Sequence, residues 1–387
     1  MILRFFDLDR NAPTLAALYF AALFLILLFP FSFSSPHATR DNSAAWPDGA
    51  RGVAFGRSGL LIGEAPAAAL YRRLIAGTGL TVELWLSTAS VADDGQARIV
   101  TYSLSNWERN FTIDREEADI VLRLMTSRTH ANGKPTLDVR GVLVPGKMQH
   151  VVVTYDFVEE RVYVDGTPRA ASAQRQGDFA TWDPRSYLAF GNEAVGGKPW
   201  DGTLAYAAIY DMPLAAEAVA ARFRLGTGAA DAPADAGLLA AYDFTQRSVE
   251  SAGAIADMPR LEKPAKVPAD SRLFFLYLDG KFHLTVTSAG DLIRNVILFL
   301  PFGVFGFLFA ERRLRSAPWA VLTTYIAAAL ASASFEVAQY FLAVRTSSIL
   351  DVAMNAVGAL LGAAGYRYWW LGSGMRRWVV QAAGQWP

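Results

Sequence analysis

An antiparallel β-sandwich inserted in an all-α, four-helix transmembrane domain is the fold that the sequence predicts. Three observations predict it. The 36 Lys and Arg and the 36 Asp and Glu residues crowd into the middle of the 387-residue chain and leave both ends nearly bare. From Leu80 to Asp211, short β-type runs separated by turn residues follow one another at intervals of about ten residues. Apolar runs long enough to cross a hydrocarbon core of about 30 Å stand once near the start and three times near the end.

The same totals exclude several classes. Balanced charge supplies no basic face for nucleic acid. With no Cys there is no disulfide and no thiolate chemistry. The four His, at 37, 130, 150 and 283, show no ligand spacing.

Residues 1–34 form the first segment. Pro13 to Phe33 is uncharged and reads as a signal-anchor helix, with Pro13 in its first turn and Pro30 where it frays. The alternative is a cleavable signal peptide ending near Pro36-His37-Ala38.

Residues 45–245 form the sandwich. Its strands are expected at 81–86, 97–104, 110–114, 119–126, 136–143, 150–156, 161–166, 187–192 and 202–211, with one buried face per sheet. Asn132-Gly133 and Asp165-Gly166 mark tight turns. A short helix follows at 214–223, then a strand at 238–244. The acids Asp114, Glu116, Glu117 and Asp119 fall between two strand runs and read as a solvated turn. Trp107, Trp182 and Trp200 are candidates to stack on sugar faces; for each, packing in the core or at the rim is the competing explanation. Residues 246–290 read as a linker ending in an interfacial segment, because Pro259, Pro264 and Pro268 forbid a helix and Leu273–Leu278 is too short to span.

The run from Leu80 to about Leu225 resembles the laminin-G and concanavalin A-like lectin/glucanase jelly rolls. The resemblance is carried by TVELWL with Trp85, by HVVVTYD followed by RVYVDG, and by FGN leading through WDG to IYDMPLAAEAV. It implies the fold, with glycan binding as an associated function. It also makes Ca²⁺ a candidate ion, with Asp201 or Asn192 as ligands, although no loop shows a ligand spacing. No other cofactor is implied.

Three spans are expected in residues 291–372, at 292–310, 319–344 and 349–369, before a tail over 373–387. Arg312, Arg313 and Arg315 fill one short loop, and Arg367, Arg376 and Arg377 follow the last span. Both termini are therefore cytoplasmic and residues 34–291 extracytoplasmic, in the inner or plasma membrane. The spans carry Asn295, Glu336, Gln339, Arg345, Asp351 and Asn355. Charge at membrane depth costs roughly 2.5–3.5 kcal/mol per residue on insertion scales, so this set marks either a site or an interhelical network. Glu336 and Gln339 share a face with Ser332, and Asp351, Asn355, Gly358 and Gly362 form one stripe. Gly358 and Gly362 are a small-residue pair for close helix approach, while Pro301 and Gly303 polarise the first of these spans.

Residues 291–366 are similar to the VanZ-like membrane family, first associated with glycopeptide (teicoplanin) resistance. The match rests on NVILFLPFG, on FEVAQYF, and on the spacing Arg345, Asp351, Asn355, Gly358. It implies a cell-envelope location. The leading reading is a non-enzymatic envelope protein whose sandwich binds glycan or a partner. Its partners would be the bilayer and glycan or glycolipid, with the helices forming a polar site for an envelope lipid or glycolipid. The alternatives are a membrane enzyme using Glu336 or Asp351 on a lipid-linked precursor, and a structural or assembly protein with no small ligand.

Overall fold

A computed structural model describes residues 8–29, 31, 33–35, 37–92, 95–226, 237–269, 286–342 and 347–370. The chain divides into two compact units, one of residues 37–271 and one combining residues 1–36 with 272–387.

In chain order, helix α1 (Leu8–Leu28) precedes β1 (Thr39–Asp41), β2 (Val53–Ala54), β3 (Leu61–Gly63) and α2 (Ala68–Ala76). Next come β4 (Leu80–Thr88), β5 (Ala97–Ser103), β6 (Arg109–Glu116), β7 (Asp119–Leu124), β8 (Leu137–Val139) and β9 (Gln149–Tyr155). The sandwich closes with β10 (Glu160–Val164), β11 (Thr167–Ser172), β12 (Tyr187–Phe190), β13 (Gly202–Tyr210), α3 (Ala216–Leu225), β14 (Leu238–Asp243), β15 (Leu261–Glu262) and β16 (Lys266–Pro268). Three helices follow: α4 (Val286–Leu314), α5 (Ala317–Tyr340) and α6 (Ile349–Ala364).

Two antiparallel sheets face each other. The first runs β11-β10-β9-β4-β13-β14, with β2 also on β13; the second runs β15-β3-β12-β5-β6-β7-β8. Period-two alternation decides what lies between them. Leu80, Val82, Leu84 and Leu86 of β4 and Val151, Val153 and Tyr155 of β9 enter the main core, whereas Trp85 and Val152 join a separate apolar cluster.

The expectation of one buried face per sheet is corrected. Every residue of β5 is buried, and β4 has eight buried residues out of nine. On the first sheet the reason is α3, whose Val219 and Phe223 join Trp85 and Tyr210 in that separate cluster. Beneath it, the buried Glu83 carboxylate accepts from Arg222 Nε (2.6 Å), the Tyr210 hydroxyl (3.0 Å) and bonds His150 Nε2 (2.9 Å).

Burial alone would raise the Glu83 carboxyl above its ordinary 4.5, but the His150 bond and the Arg222 charge outweigh it and hold it lower. A depressed folded value stabilises the fold above pH 4.5 and loses that contribution as pH falls through the lowered value. Glu83→Gln is therefore expected to flatten the acid limb of a melting-temperature profile between about pH 5 and pH 3. An acid limb as steep as that of the unsubstituted protein would show that Glu83 does not set it.

The segment 246–269 differs from the expected linker. Its β15 pairs with β3, and its β16 pairs with β1 through Thr39↔Pro268 and Asp41↔Lys266. Prolines forbid helix here but are tolerated in edge strands. Asn42 locks the joint by donating to the Leu60 and Pro264 carbonyls, and the Ala269 amide donates to Ala38 O at 2.8 Å. The Leu273–Leu278 segment and the tail over 373–387 lie outside the described residues.

In the other unit, three helices among the described residues are long and apolar enough to cross a membrane: Leu292–Leu314, Ala317–Tyr340 and Ile349–Tyr368. Ile297, Trp319, Ile326 and Leu330 stand exposed on them, as lipid-facing residues do. The second span ends at Tyr340 rather than 344, because Phe341 O accepts from Ser34 N and Leu342 bridges Phe33. Helix α1 starts before the apolar run and stops at Leu28, leaving an apolar helix over Ala12–Leu28. It is tied to the others by Tyr19 Oη donating to Leu298 O (2.8 Å) and by Leu23 against Phe299 and Ala328.

Candidate functional site

Part of the polar set of the membrane unit, Glu336 and Asn355 with Ser332 and Ser348, is bonded between α5 and the first half of α6. Ser332, Glu336 and Gln339 lie buried along one face of α5, following the three- and four-residue spacing of a helix. Buried Asn355 on α6 donates from Nδ2 to Ser332 Oγ at 2.8 Å. The Glu336 carboxylate accepts the amide of Ser348, the residue capping the α6 N-terminus, at 2.7 Å. A carboxylate is favoured there by the helix dipole and the unpaired first-turn amides. Gln339 Nε2 donates to Leu27 O of α1 at 3.0 Å.

Two atoms in this group keep unused capacity: Asn355 Oδ1 and Ser347 Oγ are buried and accept or donate no hydrogen bond. Asp351, in the first turn of α6, is half-buried. Asn295 is buried on α4. Arg345 lies outside the described residues.

Small residues let the helices carrying these groups approach. A Cβ on Gly358 would stand 2.3 Å from Val296 O, one on Gly362 2.0 Å from Leu300 O, and one on Gly303 2.0 Å from Ala359 O. Pro301 sits inside α4, between the Gly358 and Gly362 contacts with Val296 and Leu300 and the Gly303 contact.

These helices answer the pattern read from NVILFLPFG and FEVAQYF. Residues 241–371 match the VanZ/LLP1 family model. The VanZ/LLP1 match begins within β14, so it takes in the last strands of the sandwich as well as the spans. Residues 63–220 match the concanavalin A-like lectin/glucanases superfamily. No curated protein matches the chain.

Among solved structures, the heptameric SAP-like pentraxin of Limulus polyphemus is 14% identical, with a TM-score of 0.33 over 49% of this chain and 83% of that one. The botulinum neurotoxin serotype D binding domain gives 11%, 0.35, 49% and 47%. The Ruminococcus gnavus IT-sialidase CBM40 bound to α2,3-sialyllactose gives 13%, 0.33, 48% and 98%.

In the sandwich the tryptophans divide. Trp182 and Trp200 are buried, with Trp182 Nε1 donating to Met125 O and the Trp200 ring against Phe55, so neither offers a face to a sugar. This corrects two of the three stacking candidates, and the cause is their place in the aromatic core. Trp107 is 37% exposed. Asn192 Oδ1 accepts the amides of Glu193 and Lys198 and so closes its own loop. Asp201 is half-buried. Among the described residues no group of three or more metal-binding side chains occurs.

Two constellations escaped sequence reasoning. One is a buried ionic network on the outer face of the second sheet. Asp114 bridges Arg98 and Arg123, and Arg98 Nε reaches Glu193 at 3.1 Å. The solvated-turn reading of Asp114 is thereby corrected: it is the sixth residue of β6 and fully buried. Nearby Arg109 is pushed down to about 9, chiefly by burial and then by the charge of Arg98.

The other is a cleft of about 600 Å³ at the open side of the sandwich, where β8 and β11 are the outermost strands of their sheets. Val139, Val142 and Val164 line it with Asp138, Arg140, Lys147, Gln149, Asp165 and Arg169. The wall is fixed, because Gln149 accepts the Val144 amide (2.7 Å) and donates to Val142 O (2.9 Å), and Asp119 accepts the Gly141 amide (2.7 Å). Arg140 and Gly141 fall inside the strand expected at 136–143, whereas β8 ends at Val139, and periodicity cannot make Arg140 a neighbour of Arg169.

Proposed function

We propose that this is a multi-pass cell-envelope protein whose sandwich lies outside the membrane and binds glycan. The β8/β11 cleft carries this reading. Its volume falls in the range of small-ligand sites, about 300–1,000 Å³, and polar groups of both signs stand on an ordered, partly apolar wall. Four spans with both termini cytoplasmic agree with the basic loop of Arg312, Arg313 and Arg315. In the VanZ-like helices, the Glu336, Ser332 and Asn355 group would hold a polar headgroup of an envelope lipid or glycolipid at the unused Asn355 Oδ1 and Ser347 Oγ.

Full-length protein in detergent is expected to be retained on cell-wall or exopolysaccharide matrices. Lys147→Glu breaks the pair with Asp165 and adds an acid to the rim, and should change retention about tenfold. No retention across a broad glycan panel, or retention indifferent to Lys147→Glu, would remove the cleft as the binding site.

A second reading is favoured by Glu336, a buried carboxylate holding one hydrogen bond, from the Ser348 amide, in the position of a membrane acid/base group. Under it, Glu336→Gln abolishes the envelope phenotype that the intact gene restores to a deletion strain. Full restoration by Glu336→Gln rejects it.

A further inference from the structure

We infer that the β8/β11 cleft selects an acidic sugar, gripped through its anionic group by Arg140 and Arg169. The inference rests on the glycan reading above and adds the class of glycan.

Three cations, Arg140, Lys147 and Arg169, face two acids, Asp138 and Asp165, so the cleft carries one net positive charge in a chain whose formal charge is zero. How these charges are spent decides the ligand. Asp165 is fully engaged: one oxygen accepts Lys147 Nζ at 2.6 Å and the other accepts the His150 amide at 3.0 Å. Arg140 and Arg169 have no ion-pair partner among the described residues. Other exposed arginines of this unit, such as Arg51 and Arg57, are also unpaired among the described residues, but Arg140 and Arg169 share one cleft.

Arg169 stands on β11 of the first sheet and Arg140 in the turn just after β8 of the second, and both line one cleft. A guanidinium presents a planar fork that matches the oxygens of a carboxylate or a phosphate, and holds them more strongly than a neutral donor does. Asp138 then separates sugar from other polyanions. It is an unpaired carboxylate among the described residues, able only to accept, which suits ring hydroxyls and repels a run of acidic side chains or backbone phosphates. The valines between the charged groups offer an apolar floor for the ring's C–H face. One anion flanked by hydroxyls, on an apolar face, describes a uronate or a phosphorylated sugar.

The test is titration of the full-length protein in detergent with polygalacturonate, a phosphomannan, neutral dextran and poly-glutamate. Polygalacturonate or phosphomannan should bind at least about tenfold more tightly than dextran, and whichever binds identifies a carboxylate or a phosphate as the anion. Arg140→Gln and Arg169→Gln should each weaken that binding about tenfold. Raising salt should weaken it as well, since both contacts are solvent-facing. Each arginine variant is checked by an unchanged melting temperature.

Dextran binding as tight as polygalacturonate, lost on Asp138→Asn, would overturn the acidic preference and leave the glycan reading standing. Failure of all three polysaccharides would overturn both. Poly-glutamate binding as tightly through the same two arginines would overturn the sugar assignment in favour of a peptide partner.

Discussion

Asp114→Ala is expected to cost the sandwich about 3–5 kcal/mol, the largest loss foreseen for a single polar side chain here. Asp114 contacts two buried guanidinium groups, Arg98 and Arg123, and its removal strands both where water does not reach. Of these two arginines, Glu193 pairs with Arg98 alone, accepting from its Nε at 3.1 Å. Arg109 stands close enough to feel both arginines, with its Nε and Nη1 already lacking partners. The melting temperature of the sandwich should fall by roughly 10 °C. Asp114→Asn should cost less, since an amide keeps one acceptor for an arginine while losing the charge. A loss under about 1 kcal/mol for the alanine variant would mean that water screens the pair, as at a surface.

The membrane unit should be most sensitive at Gly362. Any side chain there drives a Cβ to 2.0 Å from the Leu300 carbonyl oxygen, which is backbone and cannot rotate away. Gly303 repeats the contact from the other side, against Ala359 O, so α4 and α6 interlock in both directions. Gly362→Leu should therefore destabilise the unit by about 3 kcal/mol, the upper end for overpacking, read as a lower melting temperature in detergent. Gly306→Ala is the control. Its Cβ would meet the Thr324 side-chain methyl at 2.7 Å, and a rotatable side chain can yield. Equal losses at the two positions would remove the backbone contact as the cause.

Local patterns carried much of the fold. Alternation in ARIVTYSL and RVYVDG and the apolar runs after Leu292 lie within single elements, and β5, β10 and α4 to α6 formed over them. Tertiary facts were less legible. Periodicity places Asp114 on the opposite face of β6 from Ile113, but it does not say that Glu193, far along the chain, folds over that face. Trp182 and Trp200 carry the same side chain as Trp107, and only their neighbours Phe179 and Phe55 decide that they are core. Prolines at 259, 264 and 268 argued correctly against a helix and wrongly against structure, since Pro268 ends strand β16 while Pro259 and Pro264 fall just outside β15 and β16. For the membrane group, the helix stripes were readable, whereas the Glu336 bond to a Ser348 amide depends on how the chain turns between α5 and α6.

The pairing of β1 with β16 has an engineering consequence. Thr39 and Pro268 are opposite residues of neighbouring strands, and such strands run about 4.8 Å apart. The sandwich unit thus begins and ends on paired strands, so the points where the chain enters and leaves it are one strand spacing apart. A few residues of Gly and Ser would close the gap left by removing the whole unit. By the same token, any module whose first and last strands are paired can be spliced in at those two points, which makes the sandwich an exchangeable unit.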